Sequence, residues 1–162
     1  MVKGKRMEKI DFQVDTINLG FSYRVVALII KDNKLLAAKH VDHDCYYTVG
    51  GRVRLYETSL EAVVREAFEE TGCIFEIDRL AFVQERFNKY YGKNHHEIVF
   101  FYLMKGIENI SIKDGAFTDQ QEKETLHWLP IEELTQINIV PEFLKTSLLA
   151  IGESIVHIIS KE

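Results

Sequence analysis

The segment from Thr58 to Gly72 leaves little freedom in how it can fold. Thr58 and Glu61 stand at the spacing of a capping box, in which side chains and backbone amides bond reciprocally at a helix start. Leu60, Val63, Val64, Ala67 and Phe68 then follow the i, i+3, i+4, i+7, i+8 pattern that buries one helical face. Gly72 supplies the stop, because glycine enters the left-handed conformation cheaply. The spacing predicts a helix over 58–71 with those five apolar residues toward the core. At about 100° per residue, Glu66, Glu69 and Glu70 fall within an arc of roughly 100° beside the apolar stripe. Carboxylates so placed repel one another by roughly 0.2–0.5 kcal/mol per pair. Alone, the arc reads as a solvated acidic face. A hard divalent cation, which prefers oxygen ligands and often partners phosphates, would reverse the sign.

The elements around this helix predict a mixed sheet with helices on both faces, an α/β architecture. Tyr23 to Lys31 reads as a buried strand, Asp32-Asn33 as a turn and Lys34 to Val41 as its return. Tyr46 to Val49 is a short strand entering the Gly50-Gly51 pair. Strands are expected at Ile74 to Ile77, Arg79 to Phe87, Glu97 to Lys105 and Leu126 to Leu129, with Asn88 to Asn94 and Ser111 to Glu122 as loops. Pro130 suits the first turn of a small helix, and Pro141 that of a longer C-terminal helix carrying Phe143, Leu144, Leu148, Ile151 and Ile155 inward. The chain, with 162 residues of which 46% are hydrophobic, is expected to form one domain, residues 1–20 being a loosely docked arm.

From Gly51 onward the polar residues keep a fixed spacing. Five residues separate Gly51 from Glu57, and seven more lead to Arg65-Glu66, then Glu69-Glu70 and Gly72. This pattern resembles the box of the Nudix hydrolases, Gly-x5-Glu-x7-Arg-Glu-U-x-Glu-Glu-x-Gly-U, where U is a bulky aliphatic. Every polar and glycine position matches. Ala67 and Cys73 are smaller than the usual U residues, and Thr48-Val49 replaces the apolar residue and proline that often precede the diglycine. The resemblance implies an α/β/α sandwich and hydrolysis of a nucleoside diphosphate linked to another moiety. It implies Mg²⁺ as cofactor, with Mn²⁺ able to substitute. It also implies metal ligation by Glu66, Glu69 and Glu70, with Glu66 available to handle the proton of the attacking water. Arg65 is expected to orient a carboxylate, and Glu57, just before the helix cap, to act structurally or with the catalytic set.

Beyond the box, Glu122 in the loop before Trp128 is the candidate extra glutamate, with Glu124 as its alternative. Glu97, at a strand start, is expected to position or pack. Gly50 and Gly51 allow the backbone to approach a diphosphate closely. Arg24 and Tyr90 are candidate substrate contacts within a wider set of Tyr46, Tyr47, Arg54, Arg86 and Tyr91. The formal charge of −5 argues against a partner as long as a nucleic-acid strand. No apolar run is long enough to span a bilayer, and the basic N-terminus lacks a following apolar region, so a cytoplasmic location is expected. A nucleotide-binding domain without turnover, or an isomerase of the isopentenyl diphosphate type using Cys45, are the competing readings. The proline that follows the box in many ADP-ribose enzymes is missing, so the substrate is left open.

Overall fold

The computed structural model describes residues 8–90, 92–108, 110–118 and 123–161. Strand β1 (Gln13–Asp15) pairs with the long β2 (Leu19–Leu28). A short β3 (Ile30–Lys31) turns into β4 (Lys34–His40) through Asp32 and Asn33, both at positive φ, as a tight hairpin turn requires. β5 (Tyr46–Thr48) and β6 (Gly50–Arg52) lead to helix α1 (Ser59–Thr71). A hairpin follows, β7 (Glu76–Tyr90) and β8 (Lys93–Lys105), then β9 (Ala116–Phe117) and β10 (Glu124–Pro130). A 3₁₀ turn (Ile131–Gln136), β11 (Ile139–Val140), the four-residue α2 (Leu144–Ser147), a second 3₁₀ turn (Leu148–Ala150) and β12 (Val156–Lys161) complete the described chain.

Two mixed sheets result. One runs β1-β2-β8-β7-β12 with β6 also on β2, and the other runs β11-β5-β4-β10-β9 with β3 on β4. β2 is parallel to β8, β12 to β7 and β11 to β5; the remaining pairs are antiparallel. Alternation along each strand divides the core in two. Val25, Ala27, Leu36, Ala38, Tyr102 and Met104 face α1 and pack on its Ala62, Val63 and Ala67. Val26, Leu28, Leu35, Ala37, Phe82 and Phe101 face the opposite way, onto Leu134, Leu144 and Leu148 of the short helical segments. The architecture is therefore the expected α/β/α sandwich, with a thin second helical layer.

Helix α1 matches its expected bounds. Thr58 caps it with both bonds of the capping box present, and Gly72 closes it in the left-handed conformation. Its buried face is narrower than the periodicity predicts. Leu60 and Phe68 are about half exposed, and the contact is made by Ala62, Val63 and Ala67. Small residues let the helix approach β2 and β6 closely, which accounts for alanine at position 67. Three other expectations are corrected. The strands at 74–77 and 79–87 are one bulged strand, β7, because β8 offers a continuous partner. The loop expected over Asn88 to Asn94 shrinks to the turn between β7 and β8. The long C-terminal helix does not form: α2 ends at Ser147, and the chain passes Gly152 into β12, which fills the open edge of β7. Among the described residues, the arm expected over 1–20 is docked through β1 and the Asp11–Arg54 bridge.

Candidate active site

The close approach of α1 to β6 puts the box glycines and carboxylates in contact. Gly51 points toward the helix, and a Cβ there would collide with the Glu66 carboxylate, its Oε1 lying 2.7 Å away. Gly50, at φ 149°, has a backbone that other residues rarely adopt, and a Cβ there would strike the Val25 carbonyl. Its amide donates to Glu70 Oε1 at 3.1 Å. Glu70 is half-buried as a residue, but its Oε2 is sealed from solvent and has no hydrogen-bond partner. Burial is the main reason its carboxyl is pushed up to about 8; Glu66 and Glu124 raise it further, while the Gly50 amide and Arg24 oppose. Burial likewise raises Glu66, against the pull of Arg65.

Arg65 organises the other carboxylates. Its Nε and Nη2 hold both oxygens of Glu57, at 2.7 and 2.9 Å, in a planar fork. Its Nη1 donates to Glu66 Oε1 in a short bond and to Glu69 Oε2 at 3.0 Å, and Nη2 also reaches the Arg52 carbonyl. Arg54 Nη2 donates to Glu69 Oε1 at 3.3 Å, and the Arg54 amide to Glu57 Oε2 at 2.8 Å. Glu57, Glu66, Glu69 and Arg65 thus meet in one network, with Glu70 beside it on Gly50. Among the described residues, no three metal-ligating side chains stand close enough to form a finished metal cage. The donor set nevertheless suits a hard cation: oxygen donors only, one buried carboxylate oxygen without a partner, and a glycine cradle with no room for a Cβ.

A cleft of about 390 Å³ opens on the other face of the same strands. The pairing register explains why. Gly50, Val26, Phe101 and Phe82 form one row across β6, β2, β8 and β7, over the apolar core. The next row is Arg52, Arg24, Val99 and Gln84, and beyond it Ser22, Glu97 and Arg86 align. Here the thin helical layer has ended and the face lies open. Of the candidate substrate contacts, Arg24, Gly50 and Tyr90 line the cleft, together with Tyr47 and Arg86. Gly51 does not line it, since it faces α1, and neither do Glu66, Glu69 and Glu70. The cleft reaches them through Gly50 and Arg24.

Glu97 lies deep in this cleft, 6% exposed. Ser22 Oγ donates to its Oε1 at 3.1 Å, Arg86 Nη1 to its Oε2 at 3.3 Å, and Arg24 Nε and His95 Nδ1 stand 4.0 and 3.8 Å from Oε1. A buried carboxylate needs such partners, and in return it fixes two arginines along the cleft. Glu122 and Tyr91 lie outside the described residues. Glu124, at the start of β10, is near enough to the Tyr47 hydroxyl and to Glu70 to push the pKa of each upward. Arg54 serves the carboxylate network, and Tyr46 packs on His127, so neither lines the cleft. Arg52 and Gln84 are cleft residues that sequence reasoning missed. Gln84 carried a signal: an amide at an inward-facing position of an apolar strand.

Comparison with known proteins follows the same lines. The model of the NUDIX domain family matches residues 21–148. No curated protein sequence matches the chain significantly. Similar solved structures include a mutator MutT protein from Bacillus halodurans, with a TM-score of 0.64 at 18% identity over 84% of this chain and 89% of that one. A UDP-X diphosphatase has a TM-score of 0.57 at 19% identity, over 85% and 66% of the two chains. An ADP-ribose pyrophosphatase from Streptococcus suis has a TM-score of 0.52 at 13% identity, over 86% and 98%. At these identities the likeness is one of fold.

Proposed function

The chain belongs to the NUDIX domain family, and we propose that it is a divalent-metal-dependent pyrophosphohydrolase cleaving a nucleoside diphosphate linked to another moiety. The observation that carries this reading is the contact of two box carboxylates with two glycines: Glu66 against Gly51, and Glu70 on the Gly50 amide with one buried oxygen unpartnered. Glu66 and Glu70 would hold the cation, with Glu69 joining directly or through water. Mg²⁺ is the first candidate and Mn²⁺ its substitute. When bound, the cation neutralises diphosphate oxygens and makes water a better nucleophile.

The chain's own residues supply the rest. Gly50 lets the backbone approach the diphosphate without a side chain in the way. Arg24 and Arg86, braced by Glu97, present cationic groups to phosphate oxygens along the cleft. Tyr90, at its far end, offers a ring to the ligand. Arg65 holds Glu66 and Glu69 in position, and Glu57 holds Arg65; both act through the carboxylates. A proton from the attacking water passes to Glu66 or to a carboxylate outside the box. The sequence offers Glu122 or Glu124 for that role, and the nearness of Glu124 to Glu70 favours Glu124.

The related structures named for ADP-ribose and UDP-X substrates support a nucleoside diphosphate derivative as the substrate class. The test is a panel of such compounds, incubated with Mg²⁺, with Mn²⁺ and with excess chelator, and resolved by chromatography. The expected products are a nucleoside monophosphate and a phosphorylated partner, formed only with cation. Unchanged turnover in chelator, or no cleavage of any compound, refutes the assignment. No helix of the described residues is long and apolar enough to cross a membrane; that fits the cytoplasmic location proposed here for a single-domain enzyme.

A further inference from the structure

We propose that Gln84 selects the nucleobase, by accepting a hydrogen bond from an N–H on its edge; this rests on the hydrolase reading above. Gln84 is 1% exposed, in a strand whose neighbouring buried positions, Ala81 and Phe82, are apolar. Its Nε2 donates to Ser160 Oγ on β12 at 2.9 Å. Its Oε1 is buried and has no partner. A buried amide oxygen left without a donor is unfavourable, and natural proteins rarely keep one without a use for it. Two hollows adjoin the residue. The one on the β12 side is bordered by Ser160, which already engages the Nε2 end. The other is the cleft described above.

Position in the cleft decides what Gln84 would meet. Its row continues through Val99 and Arg24 to Arg52 on β6. Three strand spacings separate it from the diglycine strand, roughly 14 Å. That is the reach of a nucleotide laid across the sheet from a diphosphate at Gly50. Beside Gln84 the surface is apolar, with Val99 next to it, Phe101 and Val26 in the adjoining row, and Val140 and Pro141 also in the lining; Arg24, in Gln84's own row, stands nearer the diglycine strand. A flat, uncharged ring fits the apolar end beside Gln84, whereas a phosphate would be better met by Arg24, toward β6 in the same row, or by Arg86 one row over. An apolar bed with a buried acceptor beside it is the chemistry that recognises a base carrying an amide-type N–H or an amino group; Asn88, farther along β7, also lines the cleft and has a buried oxygen without a partner.

Discrimination of this kind is strong, because the wrong base leaves the protein's acceptor unpaired. Binding of GDP, ADP, UDP, CDP and inorganic pyrophosphate is measured by calorimetry, with Ca²⁺ replacing Mg²⁺ to hold off turnover. The wild type is expected to prefer one base. The analogue of that base methylated at its edge N–H should bind roughly tenfold to hundredfold more weakly. Gln84→Met should lose the preference to a similar extent and keep the wild-type affinity for pyrophosphate. Equal affinity for all four nucleotides overturns the proposal, as does a Gln84→Met variant, folded by its thermal melt, that retains the wild-type preference. If that variant does not fold, the methylated analogue decides on the wild type alone, and equal binding of analogue and parent overturns the proposal. Weakening only when a base carbonyl is removed also overturns it, since the amide would then be donating. Wild-type protein that binds pyrophosphate but ignores the base refutes the role of Gln84 and spares the hydrolase reading. Wild-type protein that fails to bind pyrophosphate with cation refutes both.

Discussion

Replacing Gly51 with alanine adds one methyl group where the Glu66 carboxylate stands. The new Cβ would lie 2.7 Å from Oε1 and closer still to the carboxylate carbon and Oε2. Ordinary contacts to a Cβ begin near 3.4 Å, so the carboxylate must retreat by roughly 1 Å, the scale at which misplacement costs about 10²-fold in rate. The backbone at Gly51, unlike that at Gly50, is not left-handed, so alanine is locally tolerated. The collision is with the end of a side chain, which limits the effect on folding. Arg65 nevertheless ties that same carboxylate down, so Glu66 cannot swing aside without breaking the bond. The variant is therefore expected to melt within a few degrees of the wild type, to lose about 10²-fold in kcat, and to need more Mg²⁺ for half-maximal rate. Steady-state kinetics across a Mg²⁺ titration, with a thermal melt on the same sample, measures all three. A Gly51→Ala enzyme with wild-type kcat and wild-type cation demand would refute the claim that Glu66 works from its seat on this glycine.

Glu97→Gln should loosen Arg24 and Arg86; the expected result is a KM raised about tenfold with kcat changed much less, read from steady-state kinetics. Glu124→Gln should lower kcat more than Glu122→Gln does, compared at saturating substrate and cation; the reverse order returns the extra carboxylate to Glu122. Burial works against ionisation of Glu57, but its bonds from Arg65 and the Arg54 amide prevail and hold its carboxyl below the usual range. A depressed folded-state pKa gives stability that is present above the unfolded value of 4.5 and is lost as pH falls through the folded value. Glu57→Gln should therefore narrow the gap between the melting temperatures at pH 7 and pH 3, measured by calorimetry.

Much of the carboxylate site was legible because it is local. Thr58, Glu61 and Gly72 set the helix ends by bonds within a few residues, and helical spacing alone brings Glu66 and Glu70 to one side. The two errors at the helix, Leu60 and Phe68, have one cause. Periodicity locates an apolar stripe but not how closely the helix is seated, and small Ala62 and Ala67 against glycines seat it tightly. The C-terminal error is different in kind. Leu148, Ile151 and Ile155 have helical spacing, but Ile155, Val156, Ile158 and Ile159 are also β-branched, and β7 offers that segment an unpaired edge that no local rule can see. The cleft was the least legible part. Arg24 comes from β2, and Gln84, Arg86 and Glu97 from the β7–β8 hairpin far from it in the chain, and only the pairing register aligns them.

The central claim is that the helix carboxylates against Gly50 and Gly51 hold the cation that drives hydrolysis. It is tested most directly by following Mn²⁺ binding, by electron paramagnetic resonance, and turnover together in the wild type and in Glu70→Gln. The substitution keeps the shape of the side chain and the bond from Gly50 while removing the charge. The account predicts that Mn²⁺ binding weakens and kcat falls by roughly 10²–10⁴-fold in a protein that remains folded. A Glu70→Gln protein that binds Mn²⁺ and turns over substrate like the wild type would contradict it.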